Sequence, residues 1–268
     1  MNKRISRRSL WLGALVTSMS ASPQIASATI VTFHTVVGRF EVNLYDNATP
    51  ETVANFMNYV NNGLYTNTIF HRTVSGFVVQ GGGFTYAGTP GSVDNIATFP
   101  AVINEPVFSN LTGTIAMAKL NNASNSATSQ WFFNMADNNV GSNSLDIQNG
   151  GFTVFGEVIG NGMDVLKDIA VLPRFDFGDA LTNLPLQNYS QMDFDNRVLI
   201  DDTHLALITE IEVTDSNVDS ADGLNPVRNT SNTTPSVPPP TSGGGGGGGS
   251  FSFFALLGLL LTYKLRKA

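Results

Sequence analysis

The sequence predicts an all-β dominated domain, a closed antiparallel β-barrel capped at its ends by two α-helices. Three observations carry this. Short runs of β-branched and aromatic residues recur along the middle of the chain. Only two stretches there have helical periodicity, one early and one late. The 268 residues are 42% hydrophobic and only 13% charged, ample for one large core.

Ile30 to Val36 and Arg39 to Tyr45 read as a hairpin turning at Val37-Gly38. Thr49-Pro50-Glu51 opens a helix with a hydroxyl cap, proline in the first turn and an acid beside it. Val53, Phe56, Met57 and Val60 give that helix one apolar face, and Gly63 stops it. Strands are expected at Ile69 to Val74, Phe77 to Gln80, Gly113 to Ala118, Trp131 to Met135 and Phe152 to Val158. Met163 to Ala170 reads as the second helix and Leu205 to Val213 as a closing strand. Between Leu172 and His204 the aspartates 176, 179, 193, 195, 201 and 202 read as a solvated acidic loop.

Both ends of the chain differ from this middle. Lys3, Arg4, Arg7 and Arg8 precede an apolar run from Leu10 to Met19 and then Ala26-Ser27-Ala28, the order of a signal peptide over residues 1–28. The run of about 10 residues is short of the roughly 20 that span a bilayer. Ser6-Arg7-Arg8-Ser9-Leu10 is similar to a twin-arginine signal. The folded domain is expected over 29–215. A Pro/Ser/Thr/Gly-rich linker, expected to be disordered, follows over 216–249 and ends in Gly243 to Gly249. Residues 250–268 combine a short apolar helix with Lys264, Arg266 and Lys267. That order resembles the Gly-Gly C-terminal sorting tails of some Gram-negative bacteria; a plain membrane anchor is the alternative. Either way the segment is expected to enter a membrane, transiently or permanently. Export to the periplasm, cell surface or medium is the expectation.

The charge between the ends excludes one class of partner. Without the terminal clusters, seven basic residues face 21 acidic ones, a net −14. Such a body repels phosphate backbones, so nucleic acid is not expected. Cysteine is absent, which removes disulfides and thiolate chemistry. No histidine spacing fits a metal, no G-x-S-x-G elbow is present, and Gln80-Gly81-Gly82-Gly83 lacks the Lys-Ser/Thr of a phosphate loop. What remains is a hydrophobic slot with a few donors: Phe70-His71-Arg72, Phe77, Gln80, Met117, Gln130 and Phe132. Taken singly, the apolar members are equally well ordinary core, Arg72 a structural ion pair and His71 a structural group.

As a set they resemble a family. Phe70-His71-Arg72 with Gly76-Phe77-Val78-Val79-Gln80-Gly81-Gly82 is similar to the signature of the cyclophilin peptidyl-prolyl cis–trans isomerases. Gly113-Thr114-Ile115-Ala116-Met117-Ala118, Ser129-Gln130-Trp131-Phe132-Phe133 and Val154-Phe155-Gly156 follow in the family's order, from about Ile30 to Ala170. The resemblance implies an eight-stranded barrel and isomerisation of X–Pro bonds in proline-containing polypeptide clients, without metal or cofactor, by a monomer. It implies that Arg72 and Gln80 are catalytic, Gln80 holding the carbonyl before the proline and orienting Arg72. Phe77, Met117, Phe132 and Leu145 would bind proline, with Gln130 and Phe152 beside them and the backbone of Ala118 and Lys119 pairing with the peptide. Ser144 stands where many eukaryotic members carry tryptophan, Phe152 where they carry histidine, and Lys119 where asparagine is usual. The expected role is assisting the folding of envelope or secreted proteins. A peptide-binding module of the same fold without turnover, or a surface adhesion protein, are the alternatives.

Overall fold

The computed structural model describes residues 29–142, 144–216 and 224–231. The expected signal peptide, most of the expected linker and the apolar tail lie outside the described residues. Among the described residues no helix is long and apolar enough to cross a membrane.

The chain opens with β1 (Ile30–Thr35) and β2 (Arg39–Leu44), a hairpin closed by the Thr35 N–H donating to the Gly38 carbonyl. Helix α1 (Pro50–Asn61) follows. Its expected cap, Thr49, makes no cap hydrogen bond and instead donates to the Tyr45 carbonyl. The free N–H groups of Glu51 and Thr52 donate to the carboxylate of Glu105, 3.3 and 2.9 Å away. A carboxylate there also complements the positive end of the helix. Val53, Phe56 and Tyr59 are the buried apolar residues of α1, and Phe56 packs against Phe33, Tyr65 and Phe155.

Then come β3 (Thr68–Ile69), β4 (Arg72–Val74), β5 (Val78–Gly81), β6 (Phe84–Thr85), β7 (Asp94–Asn95), β8 (Thr114–Met117), β9 (Trp131–Asn134) and β10 (Val154–Ile159). Helix α2 (Gly162–Ala170) buries Leu166 and Ile169. After it lie β11 (Arg174–Phe175), β12 (Leu184–Pro185), α3 (Gln191–Asp195) and β13 (Leu207–Asp215).

Eleven of the strands form one curled sheet in the order β4-β5-β9-β8-β10-β2-β1-β13-β3-β6-β7. Those ladders, all antiparallel, draw an open half-barrel, where the sequence led us to expect a closed ring of eight. The expected single strand Ile69 to Val74 is divided. β3 pairs with β13 and β4 with β5, and the change of partner falls at Phe70 and His71. Their N–H groups donate to Ala206 and Gln80 respectively.

Trp131 is the hub of the core inside the curl. It is fully buried, with ring contacts to Phe33, Tyr65, Phe70 and Phe133 at 5.3 to 6.2 Å. Glycine at 81 makes room for it, because a Cβ there would lie 2.6 Å from the indole Cη2.

The acidic stretch 172–204 is more than the loop expected. β11 and β12 pair, α3 adds a third helix behind a Ser190–Asp193 capping box, and Phe175, Leu181, Leu184, Leu186 and Tyr189 enter a second core cluster. The aspartates that suggested a solvated segment mostly rim this small layer, while its aromatic residues bury themselves. The insertion seats on β4, where the Thr73 N–H donates to Asn183 at 2.9 Å. Leu224–Ser231 differs from the linker expected there: Phe108 and Arg228 form an antiparallel bridge.

Gly81→Ala forces Trp131 from its place, and overpacking of this kind costs about 1–3 kcal/mol. We expect a lower midpoint in urea unfolding and an altered near-ultraviolet circular dichroism spectrum from the displaced indole.

Candidate active site

Strand register builds the site. Arg72 pairs with Gln80, Gln80 with Phe132, Phe132 with Ala116, and Ala116 with Val154, one row across five strands. Side chains in such a row share one face of the sheet. The neighbouring row, Thr73, Val79, Phe133 and Ile115, lies on the opposite face, and its apolar members enter the core inside the curl.

On the first face Arg72 is half-buried and its Nη1 donates to Gln80 Oε1 at 3.3 Å. Gln80, 2% exposed, donates from Nε2 to Gln130 Oε1 at 2.9 Å. Burial lowers the Arg72 pKa from its usual value, yet a guanidinium stays charged at neutral pH. Among the described residues the ion pairs are His34–Glu212, Lys167–Asp164 and His204–Asp201, so Arg72 is no structural ion pair there. His71 is buried edge-on to Phe84. Burial, reinforced by the Arg72 charge, lowers its pKa to about 3, which leaves a neutral imidazole.

Beside the arginine lies an apolar cluster that includes Val78, Ala116, Ala118, Phe132, Leu145, Phe152 and Val154, with Phe77 packed on it. Phe152 stands edge-on to Phe132 at 5.7 Å. Asn138 ties two walls together: its Nδ2 donates to the Phe77 carbonyl, and its own carbonyl accepts the Leu145 N–H at 2.7 Å. Of the expected site residues, the structure thus gathers Phe77, Ala118, Phe132, Leu145 and Phe152 beside the linked Arg72, Gln80 and Gln130.

Met117 is a correction. It pairs with Trp131 on the core row and is fully buried inside the curl of the sheet, with no share in the apolar cluster. Strand parity dictates this, since Met117 follows Ala116 by one residue and must face the other way. Val78 and Asn138 were missed. Val78 was legible from the same parity, two residues before Gln80 on its face.

Lys119, expected to meet the peptide through its backbone, also has a structural role that the sequence reading did not foresee. Its side chain is buried, and Nζ donates to the carbonyls of Asn149 and Gly151 at 2.9 and 2.6 Å. It also lies 4.8 Å from the Phe152 ring centroid. The turn it grips has left-handed backbone at Asn149, Gly150 and Gly151, and Asn104 Nδ2 donates to the carbonyls of Gly150 and Gly151. With no carboxylate paired to it among the described residues, burial lowers the Lys119 pKa to about 7. The Ala118 N–H is already donated to Gln130. Ser144, at the position of the absent tryptophan, is buried, and its Oγ accepts from the Asp146 N–H. A cavity of about 420 Å³ lies apart from these residues, lined by Phe177, Tyr189, Phe194 and Leu199 of the insertion among others.

Comparison with known proteins gives concordant matches. A family model described as cyclophilin type peptidyl-prolyl cis-trans isomerase/CLD matches residues 30–190. A peptidyl-prolyl cis-trans isomerase of Acinetobacter baylyi is 39% identical over 176 residues, 65% of this chain and 87% of that protein. Peptidyl-prolyl cis-trans isomerase B of Escherichia coli is 43% identical over 143 residues, 52% of this chain and 83% of that one. Peptidyl-prolyl cis-trans isomerase A of Dickeya dadantii is 41% identical over 177 residues, 63% and 85%.

The Lys119 environment has a signed consequence. Between about pH 7 and its ordinary value of 10.5 the unfolded chain holds a proton that the folded chain releases. Stability therefore rises with pH across that window, by up to about 1.4 kcal/mol per pH unit from this group. Urea unfolding of the wild type and of Lys119→Met at pH 7 and pH 10 should show the wild type gaining on the variant as pH rises.

Proposed function

This chain belongs to the cyclophilin-type peptidyl-prolyl cis–trans isomerases, and on that footing we propose that it catalyses X–Pro isomerisation at the Arg72 site in exported polypeptides. The observation that carries the proposal is the Arg72–Gln80–Gln130 chain of hydrogen bonds set against Phe77, Phe132, Leu145 and Phe152. The alternative of a peptide-binding module without turnover requires the arginine misdirected, and its tether to Gln80 argues against that.

The amide C–N bond resists rotation by about 18–20 kcal/mol because of its partial double-bond character. Twisting it returns a lone pair to the proline nitrogen, which becomes a hydrogen-bond acceptor only near the transition state. A guanidinium N–H aimed at that nitrogen binds the twisted amide better than either planar form, and such differential binding lowers the barrier. Gln80 holds Nη1 and so fixes the direction of the remaining N–H groups. The apolar cluster receives the pyrrolidine ring, whose burial fixes one end of the rotating bond. No bond to carbon is made or broken, so the step uses neither nucleophile nor proton donor.

We read β3 and β4 as the two halves of one bent strand, which would close the sheet into an eight-stranded ring. We further propose a monomer with a leader over 1–28, exported to the envelope or medium, where it assists folding. In this reading the catalytic domain extends over 29–215, and the linker over 216–249, its part 224–231 seated on the domain, leads to a tail, 250–268, that enters a membrane transiently as a sorting signal. What supports the tail reading is sequence: the seven glycines, the short apolar run and the basic end.

Two measurements follow. In a protease-coupled assay on a prolyl peptide, the purified protein accelerates isomerisation, and Arg72→Ala lowers kcat/KM about ten- to hundredfold. That corresponds to losing a charge-assisted hydrogen bond of about 1.5–3 kcal/mol. An inactive wild type removes the function, and an unchanged Arg72→Ala removes the mechanism. The intact mass of the protein from its native host should lack Phe251 to Ala268; a mass that retains them makes the segment a plain anchor.

A further inference from the structure

Leu224–Ser231 lies far along the chain from the apolar cluster, yet it is joined to the cluster's wall. The Ser109 N–H donates to the Val227 carbonyl at 2.8 Å, and the Asn229 N–H to the Val107 carbonyl at 2.9 Å. Ser109 Oγ donates to the Arg228 carbonyl at 3.3 Å, and the Arg228 guanidinium lies 5.9 Å from the Phe108 ring centroid. The side chain of Asn229 donates from Nδ2 to the carbonyl of Asp146 at 2.9 Å. Leu224 packs against the same apolar cluster that contains Phe132, Leu145 and Phe152.

The groups so held are those that place the pocket wall. Asp146 follows Leu145 directly and is buried. Its Oδ1 accepts from the backbone N–H of Asn110 at 2.7 Å and from Asn110 Nδ2 at 3.0 Å. Asn110 Nδ2 also reaches the Phe152 carbonyl at 3.2 Å, and the Phe152 N–H donates to Leu145 at 2.8 Å. One network therefore runs from Asn229 through Asp146 and Asn110 to both pocket residues. The wall has little regular structure to hold it. Among the described residues it carries no β-strand between Asn134 and Val154, and its backbone is left-handed at Gly141, Asn149, Gly150 and Gly151.

The seat is also close to where the last strand ends. Asp215 pairs with Ile30, neighbouring Thr29 holds Asp46 through its N–H and Oγ1, and Tyr45 stands edge-on to Phe108 at 5.0 Å.

We propose that Leu224–Ser231 is a strap that positions the proline pocket, with Asn229 as the positioning residue that fixes Leu145 and Phe152 through the Asp146 carbonyl. The strap is joined to 107–109 by an antiparallel bridge and touches no reacting atom, so it acts on substrate binding. This inference rests on the isomerase reading of the site. A displaced wall weakens the grip on the pyrrolidine ring in the planar and twisted states alike, which raises KM and spares kcat.

The test uses the full chain with Asn229→Ala, which removes the side-chain donor, and Asn229→Pro, which also removes the N–H given to Val107. Thr230→Ala, an exposed neighbour, is the control. KM for a prolyl peptide should rise about three- to tenfold in both Asn229 variants, with kcat within about twofold. Amide hydrogen exchange at Leu145 and Phe152 should quicken while that at Val79 and Phe133 stays as in the wild type. Unchanged KM in both variants overturns the proposal, whether or not exchange moves. If the wild type does not isomerise at all, the isomerase reading fails by itself. Exchange then decides the strap: quickened at Leu145 and Phe152 it stands as the device that orders the wall, and unchanged it falls.

Discussion

Everything in this molecule depends on the register of β4, β5, β9 and β8. Because side chains alternate across a strand, that register assigns each residue to one of two faces. Gly81, Trp131 and Met117 fall on one face with Val79, Phe133 and Ile115, and the aromatic core is built there. Arg72, Gln80, Phe132 and Ala116 fall on the other, and the candidate site is built there. A slip of one residue in β5 would send Gln80 into the core and Val79 out beside Arg72. The large indole of Trp131 against Gly81 opposes such a slip, since no other residue of β5 lacks a side chain. Core and site are thus two outcomes of one constraint.

The site then solves a problem that the core does not have. A guanidinium beside phenylalanines has lost part of its hydration, and a charge so placed is costly unless it is hydrogen-bonded. Gln80 supplies one acceptor and is itself held by Gln130, so the tether that stabilises the charge also aims it. Lys119 uses the same physics with carbonyls as acceptors, and the ordering it imposes falls on the turn before Phe152. The insertion contributes at the edge. β4 ends the curled sheet, and an open edge strand invites pairing with other chains. Asn183 takes the Thr73 N–H and covers it.

Much of this was legible in the residues, and the limit was set by distance along the chain. The alternation in Ile30 to Tyr45 and the apolar face of α1 are local signals, and both elements stand where their patterns put them. Arg72, Gln80, Gln130 and Phe132 were legible as a set because three short motifs carry them, with Arg72, Gln80 and Phe132 in strands and Gln130 just before one. Met117 was misassigned although the parity of Ala116-Met117-Ala118 contained the answer, because only its pairing with Trp131 says which parity is which. The helix cap given by Glu105, the grip of Lys119 on Asn149 and Gly151, and the seat of Asn229 on Asp146 join residues 30 to 83 positions apart. No periodicity or composition records such contacts. In the acidic segment, aspartate counts spoke for solvent while Phe175, Leu184 and Tyr189 were free to bury, and burial won.

The central claim is that Gln80 matters for catalysis through Arg72, and a double-mutant cycle on kcat/KM tests it most directly. Gln80→Leu alone should cost about tenfold, equivalent to about 1.4 kcal/mol. In an Arg72→Ala background the same change should alter kcat/KM by less than about twofold, because the group it aims is gone. If Gln80→Leu costs the same factor in both backgrounds, the two residues act independently and the account of the site is wrong.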